Sequence, residues 1–422
     1  MWAYNLIVLL SVVAAGAIAC WWLRALGLAR AAALVGGLVF ALAPYRIGQS
    51  TGHLLGLIAF LLPAVLLALE RRRFVWAALA LVAIPLSGQI HLAMGAVLLA
   101  LGYAWARLPR SEWWKAGAVA GVAAAAAVAV QQIVVAGSIA GGGRSFAQVE
   151  HYSAELSDFL TRGVGAGIEE YVFLGWLTPL LALLGLWTIR RRRGLAWFLG
   201  LSALLPCLLA LGANLPLYEP LWRAVPPIRF ARVPERLLPI SCLAVAALVA
   251  YAVAFVLNQH KGRRAVGSRA PEVGVGVLLL LLALDLRVPV FGAVAPDRAN
   301  AAYAAMRSDG LLLELPVIRP DIHYGSVYLA YARQAPRERP ESYSTTAPPA
   351  ADRLARDLRG LSCGRGSVPT ALGVRYVVVH RGVYTQSGFF DPACATAAEA
   401  RLKELGWTLL ARDGAITSWR RP

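Results

Sequence analysis

Arg229, Arg232 and Arg236 fall within the stretch Pro-Pro-Ile-Arg-Phe-Ala-Arg-Val-Pro-Glu-Arg, where Pro226, Pro227 and Pro234 stiffen the backbone. Planar guanidinium groups held on a stiff segment suit one bound anion, a phosphate above all, in bidentate fashion. Pairing with Glu219, Glu235 and a nearby acidic loop is the structural alternative. Arg46 and His53, in Ala-Pro-Tyr-Arg-Ile-Gly-Gln-Ser-Thr-Gly-His, repeat the theme between two apolar runs. A cation beside a helix start can hold an anion; equally, the arginine can snorkel to lipid headgroups and the histidine cap a helix. Gln89 and His91, in the short turn Ser-Gly-Gln-Ile-His, are expected near the membrane surface; His53 and His91, on adjacent outward turns, could bind a metal or a sugar, but two histidines alone are poor evidence for a metal. Glu150, Asp158 and Glu169 occupy a long polar segment, where a carboxylate could serve as general base or simply form a solvated face. Residues 150–160 have the spacing of an amphipathic surface helix with Tyr152, Leu156 and Phe159 on its apolar side. Phosphate loops of the GxxxxGKS type, CxxC pairs and HExxH helices do not occur in the sequence.

The elements that position these residues are apolar. The chain has 422 residues, is 59% hydrophobic with mean hydropathy +0.60, and contains runs of the length a hydrocarbon core requires. Ten spans are expected, at about 3–22, 30–45, 54–70, 74–87, 92–106, 116–137, 174–189, 195–213, 237–257 and 273–291. Several are short for a bilayer, and local thinning, Trp and Arg anchors or burial in the bundle would accommodate them. The formal charge of +18 does not call for nucleic acid. Many of its arginines and lysines cluster in loops at Arg24 and Arg30, Arg71–Arg73, Arg107–Lys115, Arg190–Arg193 and Lys261–Arg269, alternating with loops poor in positive charge. With the basic loops cytoplasmic, segments 43–53, 87–91, 138–173, 214–236 and everything after 292 are extracytoplasmic. Arg229, Arg232 and Arg236 then run against the positive-inside trend. Met1 also falls outside, so another helix is expected upstream.

The texture changes near residue 293. The expected division is a helical membrane domain over 1–292 and a small extracytoplasmic α/β domain over 293–422. Leu311–Val317 and Val374–His380 read as buried strands, and Asp413-Gly414 as the turn of a hairpin between 407–411 and 415–419. Helices are expected at 298–308, 350–359 and 392–405, the last with Asp391 as cap and Pro392 at its first position. Cys363 and Cys394 share this polar region and are expected to form a disulfide in an oxidising compartment. Tyr324, Tyr328, Tyr331 and Tyr343 are expected to pack against the bundle, with a sugar-stacking surface as the alternative. Asp285 and Arg287, near the end of the last span, are expected to pair.

The order Ala-Pro-Tyr-Arg, Gly-His-Leu, Tyr-Ser-Ala-Glu-Leu-Ser-Asp-Phe-Leu, Arg-Phe-Ala-Arg-Val-Pro-Glu-Arg, Leu-Glu-Leu-Pro and Leu-Gly-Val-Arg-Tyr-Val-Val-Val-His resembles bacterial polytopic membrane proteins of the GT-C glycosyltransferase superfamily. The resemblance spans nearly the whole chain. It implies a helical membrane bundle with an outer soluble domain, in a bacterial cytoplasmic membrane, transferring a sugar from a polyprenyl-phosphate carrier to an envelope acceptor. It also implies that Arg46, Arg229, Arg232 and Arg236, with His53, Gln89 and His91 beside them, receive the lipid phosphate. A divalent cation is the one cofactor left open. The superfamily's catalytic carboxylate usually lies in a first outer loop after a first helix, and this sequence starts with what resembles the segment after that loop. A start site downstream of the true one, or a remnant without its base, would account for this. The alternative function is an inactive membrane scaffold or glycan-binding protein. A transporter is disfavoured by the lack of ionisable residues in mid-span.

Overall fold

The computed structural model describes residues 2–51, 53–163, 171–230, 233–261, 270–288, 298–307, 309–340 and 343–422; the side chains of 2, 230, 259–261, 270–273 and 275 are outside this description. The chain divides into two compact units, residues 1–131 with 143–294, and residues 132–142 with 295–422.

The first unit is helical. Its elements are α1 (Trp2–Ala25), α2 (Arg30–Ala41), α3 (Pro44–Gln49), α4 (Leu54–Ile58), α5 (Leu61–Glu70), α6 (Phe74–Leu86), α7 (Ile90–Arg107), α8 (Trp113–Val130), α9 (Phe146–His151), α10 (Leu177–Ile189), α11 (Arg193–Ala210), α12 (Tyr218–Ala224), α13 (Leu238–Lys261) and α14 (Ala270–Asp285). All ten expected spans contain helix. Five helices are long and apolar enough to cross a membrane, Ala3–Ala25, Ile90–Arg107, Arg110–Val135, Arg193–Ala210 and Pro234–Asn258. Arg30–Ala41, Leu54–Glu70, Phe74–Leu86, Leu177–Ile189 and Gly276–Asp285 are apolar but shorter. This is a multi-pass membrane protein. A helix suits that solvent because it satisfies its own backbone polar groups where no water can.

α13 is the axis of the bundle. In an apolar 18-residue stretch within Pro234–Asn258, 78% of the residues are enclosed, and α2, α10 and α11 pack directly on α13. Gly185 lets α10 approach so closely that a Cβ there would lie 1.9 Å from the Leu248 carbonyl oxygen. On α11 the contact is polar, Ser241 Oγ donating to the Ala203 carbonyl at 2.8 Å. At the end of α5, Glu70 accepts from Tyr103 (2.5 Å) and Arg107 (2.6 Å), and Trp22 donates to Tyr103 at 3.1 Å, which ties α1, α5 and α7.

The second unit holds α15 (Ala301–Ala304), β1 (Leu311–Leu315), α16 (Ser326–Ala332), α17 (Pro349–Leu358), β2 (Val374–His380), α18 (Arg381–Ser387), α19 (Ala393–Glu404), β3 (Thr408–Asp413) and β4 (Ile416–Arg420). The strand order is β1-β2-β4-β3, with β1 and β2 parallel and the other pairs antiparallel. β3 and β4 form a hairpin through Asp413-Gly414, with Gly414 at φ +56°. One sheet face buries Leu313, Leu315, Val377, Val379 and Trp419 with residues of α17 and α19; the other buries Leu312, Tyr376 and Val378 with Tyr303 and Met306. Burial on both faces explains why the central strand reads as a continuous apolar run. The helix expected over 298–308 contracts to Ala301–Ala304, capped by the Asn300 side chain. Pro392 precedes α19 rather than opening it, and Asp391 Oδ1 accepts from Ala393 N at 2.8 Å. Segment 132–142 belongs here too, its Ile139 N donating to the Ala347 carbonyl at 2.9 Å.

Candidate functional site

Among the described residues, Arg46 is the most deeply buried of the expected site residues. α2 stops three residues before Pro44, which opens α3, and α4 then folds back on α3. The reversal requires Gly56, where a Cβ would lie 2.4 Å from Ser50 N. The turn leaves Arg46 with 0% exposure, its Nη1 donating to the Ala41 carbonyl (2.9 Å) and Nη2 to the Ser11 carbonyl (3.0 Å). The carbonyls at a helix C-terminus lack intrahelical donors and carry the negative end of its dipole, so a buried cation is accommodated there. The expectation that Arg46 borders a water-facing surface is therefore corrected, because its guanidinium is enclosed between α1 and α2. His53 is half-buried, with Nδ1 2.6 Å from Gln49 Oε1.

Gln89 and His91 are half-buried at the start of α7, after Gly88 at φ +82°. One turn on, Gly95 abuts Leu237 and Ile240, which sets the N-terminus of α7 beside the 3-10 turn Pro234–Leu237 and the head of α13. That turn carries Glu235, 1% exposed, and the half-buried Arg236. Gln89, His91, Glu235 and Arg236 thus lie on adjoining elements. Tyr218 is buried close by; its burial, then the Glu235 carboxylate, push the phenol up to about 12, so it stays protonated at neutral pH. Arg229 behaves differently. Its exposed guanidinium donates to the Trp222 carbonyl (3.2 Å) and to that of Arg223, lying over the Trp222 ring at 5.7 Å, which caps the C-terminal end of α12. Arg223 meanwhile pairs with Glu219. Arg232 and Glu169 lie outside the described residues.

The segment carrying Glu150 and Asp158 is not one amphipathic helix. α9 ends at His151, and a separate 3-10 turn covers Leu156–Phe159. Between them Ala154 N donates to the Ala210 carbonyl (3.1 Å) and Ala213 N to Ser153 Oγ (2.8 Å), so pinning to the end of α11 overrides the helical spacing. Leu156, expected on an apolar face, is 74% exposed. Glu150 is exposed, and Asp158 Oδ2 accepts from Glu155 N at 2.7 Å as a cap.

The sequence reading missed the role of Asp285. Its carboxylate accepts from the backbone N–H groups of Trp176 (2.8 Å), Leu177 (2.9 Å) and Thr178 (3.3 Å), capping α10 from another helix. Arg162, over the Trp176 ring at 4.3 Å, donates to the Asp285 carbonyl at 3.1 Å and is its ionic partner, in place of the expected Arg287. A lone carboxylate ending an apolar run was the available signal. Glu235, just after Pro234 at a helix start, carried a similar one.

The second unit contains its own buried polar group. Glu314, 0% exposed, accepts from Arg339 Nε (3.0 Å), Tyr303 OH (2.8 Å) and His380 Nε2 (2.7 Å). Burial, then the Glu314 charge, push the Tyr303 phenol well above its ordinary range, so it remains a donor. Cys363 and Cys394 are bonded at an S–S distance of 2.08 Å, joining the turn after α17 to the first turn of α19. Of the four tyrosines, Tyr328 is 1% exposed and donates to the Pro316 carbonyl, Tyr331 stacks on Tyr303 at 4.6 Å, and Tyr324 donates to the Gln386 carbonyl. Tyr328 at least is core, so no continuous four-tyrosine stacking surface exists. Among the described residues no group of three or more His, Cys, Asp or Glu could hold a metal ion.

The chain is similar in fold to an arabinofuranosyltransferase. The match is to the cryo-EM structure of arabinofuranosyltransferase AftD from mycobacteria, with a TM-score of 0.58 and 18% identity, over 99% of this chain. The chain spans about a third, 35%, of the length of that protein. No family profile and no curated protein sequence matches the chain.

Proposed function

We propose that this chain is a glycosyltransferase-like module that moves a sugar from a polyprenyl-phosphate carrier to an envelope acceptor across the outer face of a bacterial cytoplasmic membrane. The observation that carries the reading is the likeness of fold to an arabinofuranosyltransferase over 99% of the chain. In this reading the ten apolar helices all span the bilayer, and the α/β unit is extracytoplasmic. Arabinofuranose is the first donor sugar to test. Transfer forms a bond from an acceptor oxygen to the anomeric carbon as the bond to the carrier phosphate breaks; the acceptor proton leaves to a base and the electron pair to the phosphate. Arg232 and Arg236 are proposed to stabilise that leaving phosphate, with Gln89, His91 and His53 orienting the sugar. Arg229 stands at the rim, and Arg46 acts from within by fixing the α2–α3 turn. Glu150 and Glu169 are the proposed bases, and Asp158 a weaker one because it caps a turn.

Radiolabel transfer from polyprenyl-phosphoryl arabinose and hexose donors, in membranes carrying the protein, tests this. Arg236→Ala and Arg232→Ala are expected to lower transfer by roughly a hundredfold, the scale for loss of one group that stabilises developing charge. No transfer by a folded wild type would overturn the enzyme reading. A second reading, a scaffold that binds glycans without turnover, is favoured by one observation: in the first unit Glu70, Asp158, Glu219 and Asp285 are already engaged in ion pairs or caps. Glycan retention by the wild-type protein in the absence of transfer would support it.

A further inference from the structure

α10 and α11 both pack on α13, and the loop Arg190–Arg193 joins them. Gly185 brings one of them close to the axis and Ser241 bonds the other to it, and a gap is left on their outer side. It forms a cleft of about 490 Å³ lined by Leu186, Trp197, Gly200 and Leu204, with Arg190 and Arg193 among its walls. That volume lies in the range of small-molecule sites, about 300–1,000 Å³. Trp197 and Leu204 are 62% and 54% exposed, which is ordinary for a lipid-facing surface. Arg191 and Arg192 do not line the cleft, and among the described residues no carboxylate pairs with Arg190 or Arg193. Arg190 is instead folded back over the Trp187 ring at 4.2 Å, its Nη1 donating to the Trp187 carbonyl at 2.9 Å. Gly200 keeps the floor open: a Cβ there would be 3.6 Å from Leu186, an ordinary contact, so only a longer side chain would occupy the space.

We infer that the α10–α11 cleft is a binding site for a phospholipid with a net negative phosphate headgroup, its acyl chain in the apolar groove and its phosphate on Arg190 and Arg193. The two halves of the site select for different things. The groove accepts any chain, and the guanidinium groups distinguish anionic from zwitterionic heads. This inference rests on the protein being embedded in a bilayer and is independent of whether it transfers sugar.

The test uses full-length protein in phosphatidylcholine vesicles doped with photoactivatable phosphatidylglycerol carrying the reactive group on its acyl chain. Labelling is expected within 183–204, stronger than with the matching phosphatidylcholine probe. Arg190→Gln with Arg193→Gln should remove the preference, by about fivefold per arginine, and leave residual labelling. Gly200→Leu should reduce labelling by both probes, and intact thermal unfolding would show that the change is local. Equal labelling by the two probes, or no effect of either variant, would make this ordinary lipid-facing surface and overturn the site. Displacement of the probe by polyprenyl phosphate but not by unlabelled phosphatidylglycerol would also overturn the assignment.

Discussion

Two buried charges in the helical unit and two in the α/β unit are held in different ways. In the helical unit Arg46 and Asp285 are neutralised mainly by backbone: Arg46 by carbonyls of α1 and α2, Asp285 by three N–H groups at the head of α10. In the α/β unit Glu314 and Glu399 are satisfied by side chains: Arg339 pairs with one while His380 and Tyr303 hydrogen-bond to it, and Arg381 and Arg412 pair with the other while Thr417 donates to it. A bundle of short helices exposes many termini inside itself, and each terminus is a half-charge of fixed sign. A sheet has little net dipole, so its buried carboxylates need cations from elsewhere in the sequence.

The contrast breaks hardest at Glu314. Glu314→Ala leaves Arg339 buried without its counter-ion, which is expected to cost about 3–5 kcal/mol. Limited proteolysis of the intact protein should then cut within 298–422 under conditions where the wild type resists. Unchanged resistance would mean that the network contributes little and that apolar packing alone holds the sheet. Next in size is the disulfide. Its ends are 31 residues apart, and loss of that closure is expected to destabilise the α/β unit by about 3 kcal/mol. Cys363→Ala together with Cys394→Ala should expose the same region to protease while leaving the helical unit intact. An increase in cleavage confined to the helical unit would contradict the assignment.

Asp285→Ala tests the other style of neutralisation. It removes three acceptor contacts from the head of α10 and the ionic partner of Arg162, which keeps its rings and its bond to the residue 285 carbonyl, with an expected cost of about 2 kcal/mol. Asp285→Asn should recover part of that, because an amide oxygen still accepts although the charge is gone. Thermal unfolding in detergent should rank wild type above Asn and Asn above Ala. Equal losses for the two variants would show that charge matters there and hydrogen bonding does not, and the backbone-based account would fail.

The apolar runs and the polar C-terminal region were legible because burial writes itself into composition. Both strands of the parallel pair and the Asp413-Gly414 hairpin could be read because their period, or its absence, follows from how many faces are covered. What could not be read was which terminus meets which charge. Nothing near Asp285 in sequence indicates that its partners are residues 176–178, and nothing near Arg46 indicates Ser11. These contacts exist only once helices distant in the chain are packed side by side. The 150–160 segment failed for a related reason, since its spacing suits a helix but Ala154 bonds to Ala210 and breaks it. α16 and α18 are each seven residues long and were missed for want of a periodic stretch.

The smallest expected effect concerns pH. Burial pushes the Glu399 carboxyl up, but hydrogen bonds from Arg381 and Thr417 and the charges of Arg381 and Arg412 pull it further down, so the net position is below its ordinary 4.5. The unfolded chain therefore takes up a proton at Glu399 before the folded chain does. Its stabilising contribution is complete above that ordinary value and is lost as pH falls through the lower folded one. Glu399→Gln should flatten the acid limb of the stability profile below about pH 4.5 and change little in its slope near neutrality. The variant should be read by urea-induced loss of protease resistance in the α/β unit at several acidic pH values. If wild type and variant keep the same slope there, the arginine pairs at Glu399 are too well solvated to matter, and the side-chain style of neutralisation belongs to Glu314 alone.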